Sequence, residues 1–349
     1  MITGFEAADF RCLRKVKLRL TPLHALIGPN DSGKTTILQA IRILSNWVGR
    51  GAMSGPVPGN IEKFRLRATF PNRWEYEIDE GPVRSERIVL PGPPKGERDA
   101  SSLKLGQGPL GEVSEWQNGV VQNLRRVELV RFDPDALRQP GHLIPLGNPV
   151  TLGERGLGLA SIYDAMRDRS IESFSRISAQ LRQLFPSVKE LRLRAVTTDA
   201  KVLAVELIDG TEVRADAMSE GLLYFLAFAA LRELDPPSMF LVEEPENGLH
   251  PARVADVVRM LRQLAEDKER PVQVLMATHS PLVINELKAE EVSVVTRPAD
   301  GTNVTRMADT PQFAERSKVY NLGELWLSYS NGVNEAPLLK GVDANPDLG

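Results

Sequence analysis

The feature that most constrains this chain is the run Gly28-Pro29-Asn30-Asp31-Ser32-Gly33-Lys34-Thr35, with an apolar stretch before it and a helical pattern after it. Leu23-His24-Ala25-Leu26-Ile27 reads as a buried strand, and Ile37, Leu38, Ile41, Ile43 and Leu44 recur at helical spacing up to about Trp47. The run fits G-x-x-x-x-G-K-[ST], and the strand before it and the helix after it supply the context that gives the pattern meaning. Phosphates need backbone N–H groups aimed inward, so glycines must let the chain curl closely, and the following helix N-terminus adds partial positive charge. On this chemistry residues Gly28 to Thr36 form a P-loop for a nucleoside triphosphate: Lys34 reaches the β- and γ-phosphates and the Thr35 hydroxyl binds Mg2+.

Two later segments supply what such a loop needs for hydrolysis. Met239-Phe240-Leu241-Val242 is an apolar strand that ends in Glu243, Glu244 and Pro245. A buried strand delivers its terminal carboxylates to the carboxyl edge of a parallel sheet, beside the P-loop. Glu243 is then a metal-binding candidate, and Glu244 the group that orients or deprotonates the attacking water. Met276-Ala277-Thr278-His279-Ser280-Pro281 closes another strand, and His279 is placed to hydrogen-bond a γ-phosphate oxygen.

Together, the P-loop, Met218-Ser219-Glu220-Gly221, Val242-Glu243-Glu244-Pro245-Glu246, His250-Pro251 and Thr278-His279-Ser280, in that order, resemble the ABC-type ATPases of the RecF, SMC and OLD-nuclease branch. The resemblance covers about residues 1 to 48 and 215 to 300. It implies an α/β fold: an ABC-type P-loop NTPase head with a mixed, mainly parallel core sheet, an inserted antiparallel β subdomain and a helical signature lobe. It also implies that Ser219, Glu220 and Gly221 form a signature that binds, in trans, the γ-phosphate held by a second subunit's P-loop. Ser219 suits that role as a helix N-cap, because the N–H groups that follow present positive charge to an anion. By the same resemblance Asn247 to His250 couples two nucleotides across a homodimer, and Arg11 contacts nucleotide. Three positions depart from the family pattern: Glu243 stands where aspartate is usual, the signature reads Ser-Glu-Gly, and no coupling glutamine follows Val127–Phe132, where Asp133 is the candidate for that place and Gln139 is not assigned to it.

The segmentation follows. Residues 1–300 read as one ATPase domain: a P-loop half at 1–60 with a β-rich insertion at 61–135, a helical and β segment at 136–214, and a second half at 215–300. Residues 301–349 form a C-terminal extension. Ser161 to Phe185 reads as one helix, 220–234 as another, and Pro91 to Gly111 as a loop. Too little chain separates the halves for an SMC-type coiled coil, and the extension lacks the acidic metal-ligand arrangement of the OLD TOPRIM domain, so nuclease chemistry is expected in a separate effector, a nuclease or toxin.

Composition narrows the remaining classes. Lys and Arg total 43 against 46 Asp and Glu, a net charge of -3, so DNA binding needs a local patch. Arg11, Arg14, Lys15, Lys17, Arg19, Arg125, Arg126 and Arg131 are the candidates for a RecF-like DNA clamp, the alternative reading; an importer ATPase subunit ranks third. A single cysteine, Cys12, expected to be buried, excludes an internal disulfide framework. With no secretory signal at the N-terminus and Leu222 to Leu231 about half a bilayer span, a cytoplasmic protein without membrane segments is expected.

Overall fold

Leu23–Ile27 (β3) is buried at all five positions, which requires strands on either side and cover on both faces. The computed structural model describes residues 1–50, 63–71, 75–80, 85–89, 122–124, 126–311 and 313–330. β3 lies inside a six-stranded sheet with order β15-β14-β3-β13-β12-β7. Its members are Val127–Val130 (β7), Met239–Glu243 (β12), Gln273–Thr278 (β13), Val292–Thr296 (β14) and Asn303–Arg306 (β15). β14, β3, β13 and β12 run parallel, whereas β15 is antiparallel to β14. The chain divides into two compact units: the first draws on residues 1–129, 237–244 and 265 onward, the second on 130–236 and 245–264.

In the first unit a five-stranded antiparallel sheet has the order β2-β1-β4-β5-β6, made of Leu13–Arg19 (β2), Gly4–Phe10 (β1), Phe64–Thr69 (β4), Glu75–Glu80 (β5) and Ser85–Val89 (β6). Alternation dictates its two faces. Phe5, Ala7, Val16, Leu18, Leu66 and Ile78 turn into a core shared with Ile37, Leu38, Ile41 and Leu44 of the helix Lys34–Arg50. The opposite face carries charge. Arg65 bonds Asp79 at 2.7 Å, Arg67 bonds Glu77 on the next strand, and Lys17 bonds Glu6 at 2.8 Å. Gln273, only 1% exposed, ties the chain start to β13: it accepts from Ile2 N–H at 2.9 Å and donates to the Ile2 and Thr21 carbonyls.

His24 is fully buried in β3, its ring nitrogens 3.0 Å from Thr21 Oγ1 and 2.9 Å from Ser293 Oγ. Burial pushes its pKa down to about 3, against the nearby Glu291 charge. Between pH 6.5 and 3 the unfolded chain binds the proton that the folded chain refuses, so stability falls with falling pH by up to about 1.4 kcal/mol per unit. Chemical denaturation across that range should show this slope, and His24→Gln should flatten it; an unchanged slope would mean that other groups set the acid limit.

The second unit is built on an antiparallel sheet in which Ala200–Leu207 (β10) pairs with Val188–Ala195 (β9), Glu212–Arg214 (β11) and Gly141–His142 (β8). The helix Glu220–Ala230 is buried at every position from Leu222 to Ala230, which accounts for its apolar run. Phe132 and Phe185 stack edgewise on its Phe228 and Phe225, and Tyr163 Oη donates to the Leu226 carbonyl at 2.8 Å. The helix expected over 161–185 is two, Leu159–Arg169 and Ile171–Leu184, broken at Ser170 with φ -151° and ψ 74°. Ser170 closes the first helix, its N–H donating to the Met166 carbonyl at 2.7 Å, and stands at the N-cap of the second, its carbonyl accepting from Phe174 N–H at 3.2 Å, a position that serine favours. The helix expected over 220–234 ends at Ala230 in a tight 3-10 turn, Leu231–Glu233. Asp133 caps the short helix Pro134–Leu137, accepting from Asp135 and Ala136 N–H, and the Arg155 guanidinium beside it holds its carboxyl below the usual range.

The expected loop at 91–111 and the last residues of the C-terminal extension lie outside the described residues. Among the described residues no helix is long and apolar enough to cross a membrane.

Candidate functional site

Three neighbouring strands end side by side. In β3-β13-β12 the register pairs Ile27 with Thr278 and Ala277 with Glu243, and the three strands are parallel. The residues that follow them, Gly28, His279 and Glu244, therefore leave the same end of the sheet from neighbouring strands about 4.8 Å apart, Gly28 level with His279 and Glu244 one residue short of it.

The loop after β3 is tightly held. A Cβ on Gly28 would lie 2.1 Å from the Val295 carbonyl oxygen of β14, so only glycine fits. Gly33 has φ +109°, and a Cβ there would meet Thr302 Oγ1 at 2.4 Å. Asp31 takes the left-handed region without being glycine, at φ 63°. The helix starts at Lys34 with Ile37 N–H donating to the Gly33 carbonyl at 2.9 Å. Lys34, 8% exposed, donates to the Gly28 and Pro29 carbonyls at 2.7 Å each, and Ser32 Oγ is buried inside the loop with no hydrogen-bond partner among the described residues. Asn30, Asp31 and Thr35 are exposed, Thr36 and Pro29 half-buried.

The sequence patterns did not show that the hairpin turn between β14 and β15 supports this loop. Arg297 Nη1 donates to the Asp31 carbonyl at 3.2 Å, Thr302 Oγ1 donates to the Ser32 carbonyl at 2.9 Å, and Thr302 N–H donates to the Cys12 carbonyl at 3.0 Å. Only the Gly301-Thr302 turn pair hinted at it, since Gly301 adopts φ +123° against the Arg14 side chain. Beside Thr36 this turn and the β1–β2 turn enclose a recess of about 440 Å³ lined by Arg11, Cys12, Arg14 and Arg297. Arg11, at φ 52°, donates to Gln39 of the P-loop helix. Cys12 is half-buried and not buried as expected, because it sits at the wall of this recess.

After β12, Glu244 is also left-handed, φ 47°, a conformation that costs a non-glycine residue about 1–3 kcal/mol and persists only where surroundings impose it. Its N–H donates to the Ala277 carbonyl at 2.8 Å, which fixes the turn onto β13, and its Oε1 lies 3.5 Å from His279 Nδ1. His279 is 52% exposed. Behind it Ser280 N–H donates to Thr278 Oγ1 at 2.9 Å and Ser280 Oγ accepts from Leu282 N–H at 3.2 Å.

The other predicted residues belong to the second unit. Ser219 occupies the N-cap position of the helix Glu220–Ala230 but makes no side-chain cap bond; it and Glu220 are exposed. The Asn247–His250 loop packs on that helix: a Cβ on Gly248, φ +68°, would meet Tyr224 at 2.3 Å, and the Gly248 carbonyl lies 3.6 Å from where a Cβ on Gly221 would sit. The structure thus brings together Gly28–Thr36, Glu243, Glu244 and His279 in one unit, and Ser219–Gly221 with Asn247–His250 in the other.

The OLD nuclease of Thermus scotoductus is 39% identical over an alignment 389 positions long that covers 97% of this chain and 70% of the relative. The chain belongs to the OLD nuclease family. Two family profiles match this OLD-family chain: "AAA ATPase domain" over residues 1–53, and "AAA domain, putative AbiEii toxin, Type IV TA system" over residues 123–285. Solved structures carry the same fold at low identity. The SmcHead bound to the C-winged helix domain of ScpA has a TM-score of 0.57 at 16% identity, over 87% of this chain and 97% of that one. The Smc head with an extended coiled coil, bound to the C-terminal domain of ScpA derived from Pyrococcus furiosus, has a TM-score of 0.52 at 14% identity, over 87% of this chain and 95% of that one. This OLD-family protein is accordingly an ATP-binding, ATP-hydrolysing enzyme with an ABC-type P-loop α/β fold.

Proposed function

We propose that this OLD-family ATPase closes as a homodimer on two Mg-ATP and that closure controls a separate effector, a nuclease or toxin, in prokaryotic antiphage defence or DNA maintenance. The observation that carries the catalytic part is the adjacency of three parallel strand ends bearing Gly28, His279 and Glu244. In this reading the loop's backbone N–H groups and Lys34 hold the β- and γ-phosphates, and the orphaned Ser32 hydroxyl lies within the same cradle. Thr35 and Glu243 offer oxygen donors only, which suits a hard cation, and these two residues would hold it. Mg2+, when bound, neutralises charge between the β- and γ-phosphates. Glu244 accepts a proton from the attacking water as it adds to the γ-phosphorus and the bond to the β–γ bridging oxygen breaks, leaving ADP and phosphate. His279 donates a hydrogen bond to a γ-phosphate oxygen, and Arg11 borders the nucleoside side of the loop.

The dimer rests on the signature. The Ser219 hydroxyl is exposed and makes no cap bond, so it is available to an anion presented by a second copy. The effector part rests on names, those of the OLD nuclease relative and of the toxin-linked family profile. A DNA clamp is less well supported. Lys15, Lys17 and Arg19 line the edge strand β2, but across the same sheet face Glu6, Glu75, Glu77 and Asp79 offset Arg65 and Arg67; Arg126 pairs with Glu128, and Arg125 lies outside the described residues.

Subunit mixing tests the shared site. Ser219→Arg and Lys34→Ala should each abolish ATPase activity. In an equal mixture half the dimers are mixed and each holds one intact composite site, so about a quarter of wild-type turnover should return. No recovery on mixing, from variants shown to exchange subunits, would sink the trans signature.

A further inference from the structure

The helix that follows His279 is short, Pro281–Asn285, and is anchored by the fully buried Val283 and Ile284. Against it packs the helix Leu322–Ser330, which opens with a reciprocal cap. Asn321 N–H donates to Glu324 Oε2 at 3.0 Å and Glu324 N–H donates to Asn321 Oδ1 at 2.9 Å, while Leu325 and Trp326 are 1% and 5% exposed.

The contact between the two helices is unusually close at one residue. Gly323 is buried, and its N–H donates to Asn285 Oδ1 at 2.6 Å. A Cβ at 323 would lie 2.7 Å from the Pro281 carbonyl oxygen and 2.7 and 2.8 Å from the Asn285 side-chain amide atoms. Gly323 therefore touches both ends of one helical turn: Asn285 at its close, and Pro281 two residues from His279. Between Pro281 and the imidazole there is no slack, since Ser280 is bonded to Thr278 on one side and to Leu282 on the other.

We infer that the helix Leu322–Ser330 positions His279 through the Gly323–Asn285–Pro281 junction, so that Asn285 and Gly323 are positioning residues for ATP hydrolysis and a load on this helix alters turnover. This rests on the reading of His279 as a γ-phosphate contact. A Cβ at 323 displaces the Pro281 carbonyl and with it the imidazole, and errors of position at a reacting group are costly in rate even when binding is intact. Loss of the Asn285 acceptor has the same result for another reason, because the turn is then no longer tied to the C-terminal helix.

Steady-state ATPase assays on the full chain test this. Gly323→Ala and Asn285→Leu should each lower kcat about tenfold and leave KM for ATP within about twofold. Asn285→Asp keeps an oxygen that accepts from Gly323 N–H and should retain wild-type kcat. His279→Ala sets the reference loss, and His279→Ala/Asn285→Leu should be no slower than His279→Ala alone, since both act on one group. Thermal unfolding of each variant shows that it is folded at the assay temperature; Asn285 is at the surface, so its variants answer even where Gly323→Ala does not fold. Wild-type kcat in Asn285→Leu beside a slow His279→Ala, or additive losses in the double variant, or an Asn285→Asp as slow as Asn285→Leu, would each overturn the inference. Full activity in His279→Ala would instead overturn the reading beneath it.

Discussion

Glu244→Gln should lower kcat for ATP by about three orders of magnitude, within the range lost when a general base is removed, and should leave ATP affinity at the wild-type level or tighter. The amide has nearly the same shape as the carboxylate and keeps an oxygen to accept from water, but it cannot take the proton. Affinity survives because Glu244 leaves the sheet edge from β12, while the loop proposed to cradle phosphate follows β3 with β13 between them. The left-handed backbone at Glu244, φ 47°, is tied by its N–H to Ala277 and does not depend on the side chain, so the substitution should not perturb the fold. Single-turnover hydrolysis alongside equilibrium nucleotide binding checks both halves, with oligomeric state measured with and without ATP. A trapped dimer in ATP is the expected product of blocked turnover. A variant that hydrolyses ATP within tenfold of the wild-type rate would remove Glu244 from the chemistry.

Lys34→Ala should weaken ATP binding by about a hundredfold or more, the scale on which truncating one partner of a buried charge pair acts. Two effects combine. The ammonium charge against the triphosphate is lost, and so is the clasp in which the same ammonium donates to the Gly28 and Pro29 carbonyls. Those carbonyls then lack their donor in a site where Lys34 is only 8% exposed. Lys34→Arg should not rescue, because a planar guanidinium cannot replace a compact ammonium between two carbonyls of a curled loop. Titration with ATP followed by calorimetry, with thermal unfolding as a control for folding, measures this. Wild-type affinity in Lys34→Ala would rule out the loop as the phosphate site.

The features legible beforehand were those whose cause is local. Gly28 to Thr35 could be read as a tight loop from strand to helix because such a loop needs particular backbone freedom at particular places, and the structure shows the two demands separately: contact with Val295 at Gly28 and positive φ at Gly33. The strands ending in Glu243 and Thr278 could be read because full burial on both faces leaves an unbroken apolar run. The break at Ser170 could not, since the apolar spacing continues through it and only the backbone turn at that one residue, φ -151° and ψ 74°, separates the two helices. Nor could the role of residues 297–302, where the supporting groups are an arginine, a glycine and a threonine of the kind found in any turn.

The sequence by itself determined that this chain carries a glycine-bounded loop between a buried strand and a helix, followed by an acid-tipped strand and a histidine-tipped strand, because each of these is set by side-chain period and short-range backbone geometry. Only the tertiary structure decided their order in space. It inserted β13 between β3 and β12, so that His279 stands beside Glu244, and it turned Glu244 into the left-handed region over Ala277. It also seated Gly323 against the helix that follows His279. These are pairings of residues far apart in the chain, and they are selected by burial and by which backbone groups find partners across the sheet, quantities that no local window of sequence contains.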